Sequence, residues 1–401
     1  MNIYVVRQGD SVDTIAKAAG IPVETILWAN QIEYPYRLAV GQALYIPGRD
    51  TPTDRRPIFS SGYAYPFISR ETLEETLPFL DAVNIFSYGF TEEGDLIPPA
   101  VDDAWMVEEA WKNGVRPILT LTPLGEDGHF NNNLVTVLVE NQEVQQRLIW
   151  NLGRTLQEKG FGGVDIDFEY VLAEDRENLA AFVRRVTQVL NLFGYTVTVA
   201  LAPKTSAHQR GLLYEGIDYH LLGEAADRAF LMTYEWGYSQ GPPMAVAPIN
   251  QVRRVVDYAV TEIPRDKIIL GMPNYGYDWP LPYERGTTKA RTISNLEAVK
   301  LAVGYGVDIR FDVTAQSPYF RYWQYGIQHE VWFEDVRSIK AKYDLVREYG
   351  LYGAGYWQLM NFFRASWLMM DEMFYIERAW PGTEQMDGRE DAPPLGGAGA
   401  G

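Results

Sequence analysis

The sequence predicts an α/β protein in which a small β-α-α-β domain precedes a (β/α)8 barrel with an α+β insertion. The first observation behind this prediction is that short apolar, β-rich runs alternate with helical stretches across residues 58–380. The second is that residues 1–48 contain strand, helix, helix and strand signals in immediate succession. A chain of 401 residues has room for both units.

The small N-terminal domain is predicted element by element. Residues 3–8 alternate apolar and polar side chains, as a half-buried strand does. Asp10 or Ser11 then caps an amphipathic helix, and a second helix ends near Asn30. The apolar run at 43–47 supplies the second strand.

The barrel prediction depends on eight β-rich runs separated by helical periodicity. The interval between the seventh and eighth runs is the longest, and residues 281–333 are too many for a plain loop. We therefore expect an inserted subdomain there, with strands near 308–313 and 319–332. The eight predicted barrel strands are 58–63, 82–88, 116–122, 163–169, 196–202, 229–234, 267–273 and 353–358.

Two polar segments flank the barrel. Residues 49–57 are polar and contain proline, which predicts a linker between the two domains. Residues 381–401 have few large apolar side chains, so we expect a disordered tail.

The composition excludes several function classes. A net charge of -18 argues against nucleic-acid partners, because phosphate binding needs a basic surface. The four histidines lack ligand spacing, so we expect neither a metal nor a cofactor. No run is long and apolar enough for a membrane span, and the N-terminus has no secretion-signal pattern. The 11 tryptophans and 26 tyrosines favour a neutral glycan as partner, since sugar C–H faces pack on aromatic rings, although core packing explains many of them.

The fourth predicted strand carries the candidate catalytic residues. Side chains two positions apart share one face of a strand, so Asp165, Asp167 and Glu169 point into the barrel together. Their burial and mutual repulsion predict raised pKa values and shared protons. Glu169 lies nearest the carboxyl end of the barrel and is the candidate general acid. Divalent-cation binding is the alternative, but Tyr170 stands where a calcium loop needs glycine.

Residues 162–169 resemble the DGxDxDxE motif of family-18 glycoside hydrolases. The resemblance implies that Glu169 protonates the glycosidic oxygen and that the substrate's own acetamido oxygen attacks the anomeric carbon, with net retention. It further implies that Asp167 orients the acetamide and shares a proton with Asp165. Tyr234, in a stretch similar to the family's Met-x-Tyr-Asp, would steady the acetamido oxygen.

The sequence departs from the family pattern at two positions, because Gly162 replaces the first aspartate of the motif and Glu235 replaces the usual aspartate after Tyr234. The resemblance also implies that Trp357 lies under the reacting sugar. For each aromatic candidate, core packing is the alternative. The expected substrate-binding residues are Tyr88, Tyr170, Met232, Glu235, Trp236, Asn274, Tyr275 and Trp357.

Residues 1–48 resemble the LysM domain, which implies binding of a glycan that contains N-acetylglucosamine. The positions that carry the resemblance are Tyr4, Val6, Gly9, Asp10, Ser11, Ile15, Ala16, Asn30, Leu38, Gly41, Gln42, Leu44, Ile46 and Pro47. By analogy the sugar lies between two turns, and its expected contacts are Gly9, Asp10, Ser11, Val12, Asn30, Gln31 and Ile32. Turn and cap chemistry alone is the alternative role for Gly9, Asp10 and Asn30, and both roles are compatible.

A LysM domain ahead of a family-18 barrel resembles spore-germination hydrolases of the YaaH/SleL type, as do residues 233–238 and 275–279. The resemblance implies an N-acetylglucosaminidase that cuts cortex peptidoglycan and is deposited in the spore without a signal peptide. We expect a monomer. A chitinase is the first alternative. A non-catalytic glycan-binding protein is the second, although such proteins usually lack the glutamate found here as Glu169.

Overall fold

A computed structural model describes residues 2–48 and 55–376 of the chain. Its N-terminal domain pairs strand Asn2–Val5 antiparallel with strand Ala43–Ile46 around helices Val12–Ala19 and Val23–Ala29. The predicted β-α-α-β order is therefore confirmed.

Local capping explains where these two helices begin and end. The Ser11 side chain accepts a hydrogen bond from Thr14 N and so caps the first helix, which ends at Gly20 with φ 67°. Asn30 ends the second helix and is buried. Its side-chain amide donates to Ile26 O and Tyr45 O at 3.0 and 2.8 Å and accepts from Tyr45 N at 2.7 Å, which ties this helix to the second strand.

Eight parallel strands form the closed barrel, and we label them β1 to β8. The last strand pairs with the first, and the first pairs with the second, so the described barrel has no open edge. All eight predicted strands are confirmed. They are β1 Phe59–Ala64, β2 Ala82–Phe90, β3 Arg116–Leu121, β4 Gly163–Ile166, β5 Thr196–Leu201, β6 Arg228–Leu231, β7 Ile268–Pro273 and β8 Gly353–Trp357.

Helices surround the barrel and bury its outward-facing apolar side chains. A short strand, Leu96–Ile97, pairs with the end of β2. The α-helices are Arg70–Thr76, Ala104–Lys112, Asn133–Glu140, Gln142–Lys159, Arg176–Asn191, Tyr219–Ala225, Ile249–Glu262, Val336–Tyr349 and Arg364–Met373, and the 3-10 turns are Leu77–Phe79, Ala173–Asp175 and Arg265–Lys267.

β4 is shorter than the predicted strand 163–169. It ends at Ile166 because its neighbour β3 ends at Leu121, and the last bond between them runs from Asp167 N to Leu121 O at 2.9 Å. Alternation continues past the strand end, since Val164, Ile166 and Phe168 all lie in the apolar core.

The insertion between β7 and β8 is an antiparallel sheet with one helix, Asn295–Tyr305, packed on it. Its first strand begins before the expected start at 281. The stretch 319–332, expected as a single strand, is a hairpin that turns at Tyr325 and Gly326, both with positive φ. In sheet order the strands are Arg291–Ile293, Gly276–Leu281, Ile327–Trp332, Ser317–Gln324 and Arg310–Asp312.

The N-terminal domain packs against the insertion and the last barrel helix. Ile309 N donates to Val40 O at 2.8 Å, Arg364 N donates to the Gln31 side chain at 2.7 Å, and Tyr45 donates to Glu372 at 2.6 Å. These contacts connect the small domain to the barrel.

The segments that flank the barrel are described only in part. Arg56–Pro57, at the end of the expected linker, form a short strand parallel to Phe374–Tyr375. Residues 49–54 of that linker and the tail expected at 381–401 lie outside the described residues. Among the residues the structure describes, no helix is long and apolar enough to cross a bilayer.

Candidate active site

Two buried aspartates lie at the carboxyl end of β4. The Tyr63 hydroxyl donates to Asp165 Oδ2 at 2.9 Å. Burial raises the pKa of Asp165 to about 7, against the opposing effect of hydrogen bonds from Tyr63 and Asn84. Burial raises the pKa of Asp167 well above its ordinary value, and the neighbouring Glu169 and Asp165 raise it further. The pair can therefore hold protons near neutral pH.

Each of these aspartates also has one unused acceptor. Asp165 Oδ1 and Asp167 Oδ1 are buried and find no hydrogen-bond partner among the described residues. A buried acceptor without a partner is costly unless it holds a proton or meets a donor. Asp167 also lines the cleft above the barrel, so its free oxygen is available to a substrate donor.

Glu169 is half-buried and lines the same cleft. Burial raises its pKa, and the nearby carboxylate of Glu235 raises it further. A carboxylic acid whose pKa is raised and which still reaches the cleft is suited to general acid catalysis. Tyr234, buried at the end of β6, lines the cleft beside these carboxyl groups, whose charges help raise its own pKa.

The cleft is a cavity of about 640 Å³ at the carboxyl ends of the barrel strands. Tyr234 lines this cleft, and so do five of the expected substrate contacts: Tyr170, Met232, Glu235, Trp236 and Trp357. The structure thus brings these residues together with Asp167 and Glu169.

Trp357, at the end of β8, forms an aromatic floor for the cleft. Its ring meets Phe86 edge-on, with centroids 5.1 Å apart, and lies 5.6 Å from the ring of Tyr63 and 6.2 Å from that of Tyr65. These neighbours fix the indole ring, because interlocked aromatic rings have little room to turn. A fixed ring facing a cavity is a platform on which a sugar can stack.

Glu235 is held in a conformation that is uncommon for a side chain with a Cβ. Its φ is 66°, in the left-handed region. The hydroxyls of Tyr275 and Tyr277 both donate to its Oε1, so this oxygen is fixed while Oε2 is not engaged by them. The walls of the cleft raise the pKa of Glu235 by desolvation, and the two tyrosine hydrogen bonds oppose that effect.

Comparison with known proteins places the chain among carbohydrate-cleaving enzymes. The model of the glycosyl hydrolases family 18 matches residues 135–361, and the LysM domain model matches residues 4–47. The cortical fragment-lytic enzyme of Bacillus subtilis (strain 168) is 37% identical to this chain in an alignment 428 residues long. The alignment covers 94% of this chain and 99% of that protein. The chain belongs to family 18 of the glycosyl hydrolases.

Solved structures agree with this family membership. The crystal structure of the Bacillus megaterium QM B1551 spore cortex-lytic enzyme SleL is 34% identical, with a TM-score of 0.89 over 94% of this chain and 99% of that one. The Bacillus cereus spore cortex-lytic enzyme SleL is 36% identical, with a TM-score of 0.78 over 94% of this chain and 87% of that one. The protein is accordingly a glycoside hydrolase with a (β/α)8 barrel and an N-terminal LysM domain.

Three of the expected substrate contacts do not line the family-18 cleft. Tyr88 is buried on the other side of β2, where it donates to Asp103 at 2.5 Å and accepts from Lys159 at 2.8 Å. Asn274 is buried, and its side chain donates to Asn361 O at 2.5 Å. Tyr275 is buried, and its hydroxyl donates to Glu235, which does line the cleft.

The glycine that replaces the first aspartate of the family-18 motif has a packing reason. A Cβ on Gly162 would lie 2.3 Å from Cγ of Arg116, so a larger residue here would displace that side chain. Arg116 runs across this position to bond Thr196 Oγ1 at 3.3 Å, which joins β3 to β5. The departure is therefore a local packing change at the start of β4, away from its carboxyl end.

The expected LysM contacts separate into two groups. In the first turn, Asp10 accepts hydrogen bonds from Tyr4 and from Arg7 N, Ser11 caps a helix, Val12 is buried, and Gly9 has open space beside its Cα. The second group lines a different cavity of about 280 Å³, which is shared with the insertion helix and does not include the first turn. This second group comprises Asn30, Gln31 and Ile32.

Several residues that line the cleft were not among the expected contacts. Tyr63 and Phe86 lie at or near the carboxyl ends of β1 and β2, so their strand position was a usable signal. The others come from loops or from the insertion, where no local pattern indicates which way a side chain faces. The unexpected lining residues are Tyr63, Tyr65, Phe86, Phe130, Pro203, Leu213, Tyr214, Tyr238 and Tyr277. Within residues 2–48 and 55–376 we find no cluster of three or more His, Cys, Asp or Glu side chains suited to a metal ion.

Proposed function

We propose that this protein is an N-acetylglucosaminidase of spore cortex peptidoglycan that acts with retention by a substrate-assisted mechanism. The observation that carries the proposal is Glu169, an acid with a raised pKa, in one cleft with Tyr234 and the unpartnered Oδ1 of Asp167. The names of two relatives, a cortical fragment-lytic enzyme and a spore cortex-lytic enzyme, support the substrate.

In the proposed first step, Glu169 gives its proton to the glycosidic oxygen as the bond to the anomeric carbon breaks. The acetamido oxygen of the same sugar forms the new bond to that carbon and gives an oxazolinium ion. Asp167 Oδ1 accepts the acetamide N–H, and the Tyr234 hydroxyl donates to the acetamido oxygen. Asp165 and Asp167 share a proton, and this proton lies on Asp165 while Asp167 accepts the acetamide N–H.

In the second step, the Glu169 carboxylate removes a proton from water as that water attacks the anomeric carbon. The oxazolinium ring opens, and the sugar is released with its original anomeric configuration. The reacting sugar stacks on the Trp357 ring. Trp236, Met232 and Tyr170 contact the adjacent sugars of the glycan.

We assign the LysM domain the role of holding an N-acetylglucosamine-containing strand close to the cleft, which raises the local substrate concentration. The proposed location is the spore, in the region of the cortex and coat. A monomer is the proposed functional unit, because one chain supplies all the described walls of the cleft. Analytical ultracentrifugation measures whether the protein is a monomer in solution.

The decisive experiment is mass spectrometry of the products that the enzyme releases from purified cortex fragments. We expect new fragments that end in N-acetylglucosamine. Cleavage of chitooligosaccharides with cortex fragments left intact would instead identify a chitinase. The Glu169→Gln variant should release nothing while still binding glycan, and unchanged turnover in that variant would refute the mechanism.

Two further variants test the acetamide contacts. Asp167→Asn and Tyr234→Phe should each lower kcat on the order of 10²-fold or more, as expected for the loss of a positioned group in the transition state. Binding of intact fragments should change less than kcat, because both groups act mainly when charge develops on the acetamide.

A further inference from the structure

A small cavity lies at the amino end of the barrel, opposite the catalytic cleft. Its volume is about 40 Å³, which is room for roughly three water molecules. Arg116, Thr196 and Arg228 line it, and they are the first residues of β3, β5 and β6. Within residues 2–48 and 55–376, the charged groups of its wall are the two arginines, so the potential inside is positive.

Arg228 contributes a guanidinium that the protein satisfies only in part. Its Nη1 donates to Asp227 O at 2.8 Å, and this is the one hydrogen bond that the guanidinium makes within the described chain. The group also packs on the ring of Tyr352, with its Cζ 4.0 Å from the ring centroid, so its place at the cavity wall is fixed. A guanidinium has five N–H donors and no acceptor. Most donors of Arg228 are therefore left for water or for an anion.

The carboxylates near these strand starts bind the backbone instead. Asp227 Oδ2 accepts a hydrogen bond from Val197 N at 2.8 Å, and Asp81 Oδ2 accepts one from Ser60 N at 2.8 Å. Neither aspartate lines the cavity, and no carboxylate of the described residues forms an ion pair with Arg228. A half-buried cation without an acid partner is costly, and an anion in the cavity would offset that cost.

Hydroxyl donors complete the cavity wall. Ser61 lines the cavity with only 3% of its surface exposed, and its hydroxyl has no hydrogen-bond partner in the part of the chain that the structure describes. Thr196 Oγ1 accepts a hydrogen bond from Arg116 Nη1 at 3.3 Å, so its own proton can be donated elsewhere. A buried hydroxyl without a partner costs free energy unless a ligand or a water meets it. Ser61, Thr196 and Arg228 thus present O–H and N–H donors to one small space.

We propose that the amino end of the barrel binds a small monovalent anion of the halide class, such as chloride. The two guanidiniums supply the charge that holds the ion, and the hydroxyls of Ser61 and Thr196 donate to it. The volume favours a monatomic ion, because a tetrahedral oxyanion has more heavy atoms than the cavity has room for waters. The site lies at the opposite end of the barrel from the proposed reaction and does not depend on the proposed function.

Bromide is the probe that locates the ion directly. Crystals of the full chain soaked in sodium bromide should show an anomalous peak in this cavity, within hydrogen-bond distance of the Arg228 guanidinium and of Ser61 Oγ. A map with bromide peaks elsewhere on the protein and none in the cavity would overturn the proposal.

Thermal unfolding measures the same binding in solution. Sodium chloride replaces sodium gluconate at constant ionic strength, because gluconate is too large for the cavity and screening then stays the same. We expect the midpoint temperature to rise by about 1–3 °C and then level off, as for a ligand that binds only the folded state. A midpoint that does not depend on chloride, or that rises with sulfate and not with chloride, would contradict a halide site.

Matched variants identify the residues that hold the ion. Arg228→Gln should abolish the dependence of the midpoint on chloride, whereas Arg154→Gln should keep it. Arg154 also packs against an aromatic ring, that of Trp150, but it lies on an outer helix and does not line the cavity. Equal chloride dependence in the two variants would rule the site out.

Ser61→Ala decides the question if Arg228→Gln fails to fold. In gluconate, loss of a buried hydroxyl that has no partner should leave the midpoint unchanged or raise it. In chloride, the same variant should need a severalfold higher concentration to reach half of the rise. A chloride requirement equal to that of the unmodified protein would overturn the proposed site.

Discussion

The Tyr277 hydroxyl donates a 2.9 Å hydrogen bond to Oε1 of Glu235, and it does so from the first strand of the insertion. The insertion therefore helps to position a carboxylate that lies beside Glu169, the proposed catalytic acid. Tyr275, which links β7 to that strand, donates to the same oxygen. Burial raises the pKa of Glu235, and the two hydroxyls oppose that rise, so they favour the charged form that raises the pKa of Glu169.

In the pH dependence of kcat, the Tyr277→Phe variant should lose activity at a lower pH on the alkaline side. Loss of the hydrogen bond raises the pKa of Glu235, which is then more often neutral. The repulsion that raises the pKa of Glu169 weakens, so Glu169 loses its proton at lower pH and activity falls earlier as pH rises. Glu235→Gln should move this loss of activity further in the same direction.

The control for this series is Tyr283→Phe. Tyr283 also belongs to the insertion, but its hydroxyl donates to Gln240 O at 2.9 Å and does not contact Glu235. Its pH profile should match that of the unmodified protein. A Tyr277→Phe profile that loses height without moving along the pH axis would assign Tyr277 a purely structural role.

Asp165→Asn should stabilise the protein at high pH while lowering its activity. Burial raises the pKa of Asp165 to about 7, whereas in the unfolded chain it is about 3.9. The folded state therefore binds more protons between these values, and the free energy of unfolding falls as pH rises through that window. An asparagine does not titrate and escapes this loss.

Denaturant unfolding at pH 4 and pH 9 measures this effect. We expect equal free energies of unfolding for the two proteins at pH 4, and a higher value for Asp165→Asn at pH 9, by roughly 1–4 kcal/mol. A variant that is less stable at both pH values would show that Asp165 is ionised in the folded protein.

The fold was predictable from sequence because barrel strands bury both faces and helices repeat with their own period. The outcome for Tyr88 shows where such reasoning stops. Simple alternation places Asn84, Phe86 and Tyr88 on one face, but the pairing of β2 with β3 shifts register between Ile85 and Tyr88. That irregularity leaves Phe86 in the cleft and turns Tyr88 toward Asp103, and nothing in the local sequence indicates it.

Tyr88→Phe should consequently lower stability and leave KM for the glycan unchanged. The variant loses a hydroxyl that joins Asp103 to Lys159, although the direct 2.6 Å ion pair between those two residues remains. The expected loss is about 1.5–3 kcal/mol, because the hydroxyl makes two hydrogen bonds to charged groups. Thermal unfolding and steady-state kinetics together check the prediction. A raised KM with unchanged stability would show instead that Tyr88 contacts the substrate.

A single added methyl group, at Gly41, can test the contact between the LysM domain and the insertion. Gly41 has φ 82°, and a Cβ there would lie 1.9 Å from the backbone oxygen of Ile309. Gly9, in the same domain, has φ 87° but nothing within 4 Å of its Cβ position. Alanine at either position suffers the same left-handed strain, about 1–2 kcal/mol, so the difference between them reports the clash.

We expect Gly41→Ala to push the LysM domain away from the insertion, because the obstructing atom belongs to the backbone and cannot rotate aside. Calorimetry should show the LysM domain of this variant unfolding in a separate, earlier transition, while Gly9→Ala only lowers the transition temperature slightly. The Ile309 N bond to Val40 O, one residue from Gly41, would be lost with the contact. Identical unfolding curves for the two variants would mean that the domains do not depend on this contact to stay together.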